Sequence, residues 1–221
     1  MGKTAILLGA SGLTGSFLLQ ELLNSKSYNT IHCIGRTPLG VSHPKLKEHI
    51  HNLLELNFTT LNISADVVFC CIGTTQAKTP DKAVYRKIDY GIPVAAAKWT
   101  KAAEIGCFIC MSSLGANANS AVFYSKTKGE METEVLKLEI PRTYILRPSI
   151  ILGKRNENRF GERIAKVFMT LISPLMRGSL HKYRPIHALT IAKGMLRLAE
   201  SYLDSGIVES DVINTLSKEW E

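Results

Sequence analysis

The stretch KTAILLGASGLTGSFLLQELLNS, Lys3 to Ser25, holds two hydrophobic rhythms separated by glycines. Thr4 to Ala10 is a near-continuous apolar run, the pattern of a strand covered on both faces. Leu13 to Ser25 places its leucines at helical spacing instead. Between them Gly9, Gly12 and Gly15 fall in a G-x-x-G-x-x-G spacing. A strand, a glycine turn and a helix in this order open a dinucleotide-binding βαβ unit. In that unit Gly9 allows the tight turn, Gly12 lets a pyrophosphate approach the backbone, and Gly15 lets the helix pack on the sheet. The helix N-terminus adds unpaired N–H groups and the positive end of its dipole. A turn with no ligand is the competing reading, and the βαβ context argues against it. The nearby GKT, Gly2 to Thr4, precedes the strand and is not a Walker A motif.

Downstream, apolar runs and helical patterns keep alternating. Thr30–Arg36, His51–Asn57, Ala65–Gly73, Cys107–Ser113 and Arg142–Ser149 read as strands, and Asp81–Gly106 as mostly helical. A further helix begins near Phe123. Such alternation predicts an α/β fold, a doubly wound parallel Rossmann sheet. The chain of 221 residues suits a single dinucleotide-binding domain over residues 1–221. From Gly153 the character changes, and residues 153–221 are expected to contribute a small C-terminal helical lobe for substrate or partner, with a last helix starting at Ser210 or Asp211.

The second strand decides the cofactor. An acidic residue at its end favours NAD, by holding the ribose 2′-hydroxyl. Here the strand ends CIGRTP, with Arg36 in that region, and a guanidinium can clasp a 2′-phosphate. NADP (NADPH) is therefore expected in preference to NAD, with Lys45 and Lys47 as possible aids.

Ser112 and Ser113 end the strand that begins at Cys107, and Tyr124 and Lys128 stand four apart on the following helix. That spacing puts phenol and ammonium on one helix face. A nearby ammonium favours phenolate. A serine hydroxyl can hold a substrate oxygen while the tyrosine exchanges a proton with it and hydride moves to or from a nicotinamide. Ser113, Tyr124 and Lys128 are the expected catalytic residues, with Ser112 the alternative serine. Alone, a Tyr/Lys pair at this spacing is common surface decoration; the glycine turn and the strand-end serines give it meaning.

Composition is that of an ordinary globular protein, 45% hydrophobic and 21% charged. No apolar run is long enough to cross a bilayer, and the start lacks the pattern of a signal peptide. The net charge of +8 invites nucleic acid, but the basic residues are scattered and a basic surface serves an anionic small ligand equally well. The cysteines at 33, 70, 71, 107 and 110 are odd in number and sit mostly in strand-like runs, as reduced thiols of a cytoplasmic protein do. Cys107 and Cys110 have redox-motif spacing, yet on a strand they face opposite sides, and no partner cluster supplies a metal site.

Taken together, GASGLTG, MSS and YSKTK resemble the short-chain dehydrogenase/reductase superfamily, and LRPSIILG resembles a stretch of its extended and atypical branches. CIGTT, SSLGANANSAVFYSKTKGEMETEV and RPSIILGKRNENRFGE are most similar to the atypical, Tat-interacting-protein-like oxidoreductase group. The resemblance runs from Lys3 to about Leu203. It implies an NAD(P)-bound Rossmann domain. From the glycine turn it implies contacts by Gly9, Ser11, Gly12, Leu13, Thr14 and Gly15, and from the next loops by Arg36, Asn57, Gly73, Thr74 and Thr75. Near the nicotinamide it implies Ser112, Tyr124, Lys128, Arg147, Pro148 and Ser149. Relatives often carry an acidic residue where Asn57 stands. The implied function is NADP-dependent hydride transfer to or from a small-molecule carbonyl or alcohol. The alternatives are an NADP(H)-binding regulatory or sensor protein with a protein partner, or a nucleoside-diphosphate-sugar epimerase-like enzyme. The short serine-to-tyrosine spacing and small lobe weaken the last. No nucleic acid, membrane or metal is implied, and a monomer or homodimer is expected.

Overall fold

The computed structural model describes residues 2–153 and 178–218. Seven parallel strands form its central sheet: β1 (Lys3–Leu8), β2 (Tyr28–Gly35), β3 (Leu46–Ile50), β4 (Val67–Cys70), β5 (Cys107–Met111), β6 (Arg142–Arg147) and β9 (Gly206–Glu209). Their spatial order is β3-β2-β1-β4-β5-β6-β9, so the strand order reverses beside β1, as in a doubly wound sheet. A separate parallel pair joins β7 (Ile151–Leu152) to β8 (Ile186–His187).

The helices are α1 (Leu13–Asn24), α2 (Lys82–Arg86), α3 (Ile92–Ala102), α4 (Phe123–Leu136), α5 (Ala188–Glu200) and α6 (Ser210–Lys218). A π-helical turn, Lys87–Gly91, joins α2 to α3. Asp81 caps α2, its carboxylate accepting from Ala83 N at 2.7 Å and Val84 N at 3.0 Å.

Period-two alternation sorts the strand side chains onto two faces. Ala5, Leu7, Phe69, Cys107, Ile109 and Tyr144 lie in one buried cluster with Leu18 and Leu22 of α1 and Ile191 and Met195 of α5. Ile6, Leu8, Val68, Cys70, Phe108, Cys110 and Ile145 lie in the other with Trp99 of α3 and Met131 and Val135 of α4. Cys107 and Cys110 thus face opposite sides, and all five cysteines are free. Full burial of a side chain such as Phe69 or Phe108 contributes roughly 1.5–3 kcal/mol.

Register brings the strand ends to one edge. Leu8 pairs with Ile34 and Cys70, Cys70 with Cys110, Met111 with Leu146, and Arg147 with Glu209. The turns after β1, β2, β4, β5 and β6 therefore open side by side.

Two expectations change. His51–Asn57 is not a strand; the third strand is Leu46–Ile50, a polar edge segment without an apolar run. Asn52 Oδ1 accepts from Leu54 N, and Asn57 Oδ1 from Thr59 N, which turns the chain instead. The C-terminal stretch holds more than helices. β9 pairs with β6, and α5 packs on the α1 side of the sheet. Residues 154–177 of the expected lobe lie outside the described residues. The last helix does begin at Ser210.

Candidate active site

The glycine turn leaves β1 with Gly9 at φ +85°, a left-handed conformation that L side chains rarely adopt. A Cβ on Gly15 would stand 2.0 Å from the Gly9 carbonyl oxygen, so only glycine fits where α1 presses on the turn. The turn is closed by Gly12 N donating to Gly9 O at 3.0 Å. Gly12 supplies no side-chain cap, and the first turn of α1 carries no acidic residue. The first N–H groups of α1 are thus left for an anion from outside. Ser11 is exposed beside them, Thr14 is buried, and Leu13 lies against Gly153.

Arg36 is exposed just past the end of β2. Register sets that strand end beside the end of β1, and so beside the glycine turn. Lys45 is committed elsewhere: its ammonium caps the far end of α1, donating to Leu23 O at 2.9 Å and Ser25 O at 2.6 Å. Asn57 spends its side chain on its own turn, accepting from Thr59 N at 3.1 Å and Thr59 Oγ1 at 2.7 Å.

After β4 the chain passes the glycine turn at Cys71, whose carbonyl oxygen would stand 2.9 Å from a Cβ on Gly9, and Gly73–Thr75 follow. Thr74 Oγ1 meets Thr79 Oγ1 at 2.9 Å. After β5, Ser112 and Ser113 are 6% and 9% exposed, and neither hydroxyl has a hydrogen-bond partner. Two buried hydroxyls without a protein partner at the open edge of the sheet leave hydrogen-bonding capacity for a ligand or water. The strand is fixed by Ser112 N donating to Leu146 O at 2.7 Å, and the following loop by Leu114 N donating to Pro148 O at 3.0 Å.

Tyr124 sits in the first turn of α4, 42% exposed, with its ring 6.4 Å from that of Tyr85. One turn on, Lys128 is 3% exposed. Its ammonium lies 2.8 Å from Asp89 Oδ1 and 3.4 Å from Met111 O. Burial is the largest single influence and favours the neutral amine, but the Asp89 carboxylate, joined by Tyr124 and Cys110, holds Lys128 charged above the ordinary lysine range.

Arg147 and Ser149 are engaged within the protein. The Arg147 guanidinium grips Glu132 through Nε at 2.9 Å and Nη2 at 2.6 Å, and reaches Glu209 at 3.3 Å. Ser149 Oγ donates to Arg184 O, and its N–H donates to Ser210 Oγ at 3.2 Å. These contacts tie β6 and β7 to the C-terminal elements.

Asp89 escaped the sequence reading. Its signal was present: Tyr85, Asp89, Ile92 and Ala96 follow helical spacing, and an acidic residue on an otherwise apolar stripe asks for a buried partner. Among the described residues no cluster of histidine, cysteine and carboxylate has the form of a metal site, and no helix is long and apolar enough to cross a membrane.

No family model matches the chain. It is 32% identical over 212 residues to "Protein FMP52, mitochondrial" of Debaryomyces hansenii, covering 92% of this chain and 90% of the relative. The protein of the same name in Candida albicans is 34% identical over 218 residues, covering 95% and 93%. Rat "Protein HTATIP2" is 34% identical over 174 residues, covering 75% of this chain and 70% of the relative. Among solved structures, a UDP-N-acetylglucosamine 4-epimerase from Methanobrevibacter ruminantium superposes with a TM-score of 0.71 at 16% identity, over 94% of this chain and 76% of the epimerase. The Bordetella bronchiseptica enzyme WbmH, solved with NAD+, gives 0.72 at 14% identity, over 95% and 75%. At such identities the likeness shows the Rossmann fold. The names of the fungal relatives overturn the cytoplasmic expectation. Unpaired cysteines do not single out the cytosol.

Proposed function

Because this chain belongs to the FMP52 family, within the Tat-interacting-protein-like branch of the short-chain dehydrogenase/reductases, we propose that it is a dinucleotide-dependent oxidoreductase. Its substrate class is a small carbonyl or alcohol. The observation that carries this reading is the pair of orphaned hydroxyls, Ser112 and Ser113, on the same sheet edge as a bare glycine turn and the Tyr124/Lys128 helix. The fit to a nicotinamide dinucleotide rests on this chain's own atoms. Gly9 to Gly15 lead into a helix start that makes no side-chain cap hydrogen bond, and the exposed Arg36 just past β2 supplies a guanidinium that suits a 2′-phosphate. NADP is the preferred form on that account.

When bound, the dinucleotide supplies or accepts the hydride. The protein supplies the rest. A strand-end serine donates a hydrogen bond to the substrate oxygen and fixes the carbon beside it. Tyr124 gives its phenolic proton to that oxygen as a carbonyl becomes an alcohol, or takes one in the reverse direction. Lys128 holds a positive charge one helical turn from the phenol and has a donor to spare for the ligand.

The test is NADPH and NADH oxidation across a panel of carbonyl compounds, with Tyr124→Phe alongside. Turnover that loses about a hundredfold or more in the variant supports the assignment; an unchanged rate removes Tyr124 from it. A second reading, a dinucleotide-loaded binding protein with little turnover, draws on one observation: the Asp89 carboxylate cancels the ammonium charge beside Tyr124. Tight NADPH binding without oxidation of any substrate favours that reading. From the names of its fungal relatives we infer a mitochondrial compartment, which fractionation of cells producing the chain checks.

A further inference from the structure

The short helix α2 packs against the start of α4, and Tyr85 makes the contact. Tyr85 is buried, and its ring meets the Phe123 ring edge-on at 5.5 Å and the Tyr124 ring edge-on at 6.4 Å. Around this buried ring the surface is apolar. Val122, just before α4, is 61% exposed, and Val84 of α2 is 38% exposed. Tyr124, the residue given the proton transfer, stands in the same patch. An apolar surface bordering a reaction centre suits the apolar body of a ligand.

One cation lies over that surface. The Lys82 ammonium is 5.5 Å from the centre of the Phe123 ring. Among the described residues no carboxylate pairs with it. Asp81, its neighbour in the chain, turns its Oδ1 to Ala83 N and Val84 N instead. Glu130 of α4 is answered by Arg86 of α2. Lys126, also exposed, follows Val122 by one helical turn. The unneutralised charge beside the apolar patch is therefore positive. A ring under an exposed ammonium contributes only about 0.5–1 kcal/mol, and the ammonium keeps donors for an anion.

We propose that the substrate of this site is an amphipathic anion: a carbonyl or alcohol at the reacting end, an apolar body lying on Val84, Val122 and the Phe123 edge, and an anionic group held by Lys82. Lys82 sets specificity from the far end of the substrate and touches neither the dinucleotide nor the reacting atoms. Its attraction is the same before and during hydride transfer, so it acts on KM. The proposal rests on the functional reading above and adds the charge of the substrate.

The experiment compares para-carboxybenzaldehyde with para-methylbenzaldehyde, which share a shape and a reacting group and differ in charge. NADPH oxidation gives kcat and KM for each with the unaltered protein, Lys82→Met and Lys82→Glu. The ratio of kcat/KM, carboxylated over methylated, is expected to fall about three- to fivefold in Lys82→Met and further in Lys82→Glu, through KM of the carboxylated aldehyde alone. The difference between the proteins shrinks toward about 1 M salt. A purely structural Lys82 would move both aldehydes together. An equal ratio in the unaltered protein and Lys82→Met overturns the proposal, as does a difference that salt leaves unchanged. Calorimetry with para-carboxybenzyl alcohol and the dinucleotide-loaded protein gives a readout free of turnover. Weaker binding in Lys82→Met than in the unaltered protein supports the anion site; equal binding, or none by the unaltered protein, overturns it. Turnover of neither aldehyde while that Lys82-dependent binding persists defeats the oxidoreductase reading alone. If the protein binds neither NADPH nor NADH, the functional reading fails and this proposal with it.

Discussion

Arg147 and Glu132 lock together through two parallel hydrogen bonds, at 2.9 and 2.6 Å, with the Glu132 side chain only 4% exposed. The pair clamps β6 to α4, and Glu209 of β9 adds a third arm. Removing the cation strands a buried carboxylate. Arg147→Met is expected to cost about 3–5 kcal/mol in urea unfolding, and the double change with Glu132→Leu to recover most of it. A loss that the double change does not relieve would locate the effect elsewhere.

The turn after β1 tolerates no side chain at Gly15, where an added Cβ lies 2.0 Å from a backbone oxygen. Gly15→Ala is expected to lower stability by at least about 1–3 kcal/mol, since backbone rather than a flexible side chain must give way. At Gly12 the nearest atom is 3.2 Å away. Gly12→Ala should therefore cost less stability than Gly15→Ala while weakening dinucleotide binding, and the two variants together separate folding from ligand approach.

His32 Nδ1 and His49 Nε2 meet at 2.8 Å across β2 and β3, sharing one proton between them. Burial lowers both histidines from the ordinary value of 6.5, helped at His32 by His49 and at His49 by His51. A histidine with a depressed folded value contributes stability above the unfolded value, and that stability is lost as pH falls. The urea midpoint should drop between about pH 7.5 and 5.5, and His49→Asn should flatten part of that slope. An equal slope in the variant would remove the pair as its cause.

Burial also governs the thiols. It pushes Cys33 up to about 12 and Cys70 and Cys107 up to about 11, and carries Cys71 and Cys110 upward as well. A thiol reagent at about pH 8 should leave the folded protein unmodified over minutes and titrate all five cysteines after denaturation. Rapid labelling of the folded chain would show that β4 or β5 opens locally.

Hydrophobic rhythm made the central sheet readable, because strands covered on both faces, such as Val67–Cys70 and Cys107–Met111, must be apolar throughout. The same rule hid β3. An edge strand reading LKEHI is held by backbone hydrogen bonds to β2 and needs no apolar face, so the pattern pointed a few residues too late. In the site, local motifs were legible: the glycine turn, the strand-end serines and the Tyr124/Lys128 spacing each lie within a few residues. The Asp89 junction and the Arg147–Glu132 clamp were not. Each joins residues far apart in the chain, and no short window contains both partners. Arg147 in particular looked like a ligand group only until Glu132 and Glu209 stood beside it.

The outermost strand on one side of the sheet, β9, is laid against β6 by residues that follow it only after a long excursion. While the polypeptide emerges from the ribosome, β6 waits with an unfilled flank of peptide donors and acceptors until residues 206–209 arrive. Messages cut short before that point should yield a sticky, half-bordered product, suited to chaperones and proteases rather than to catalysis.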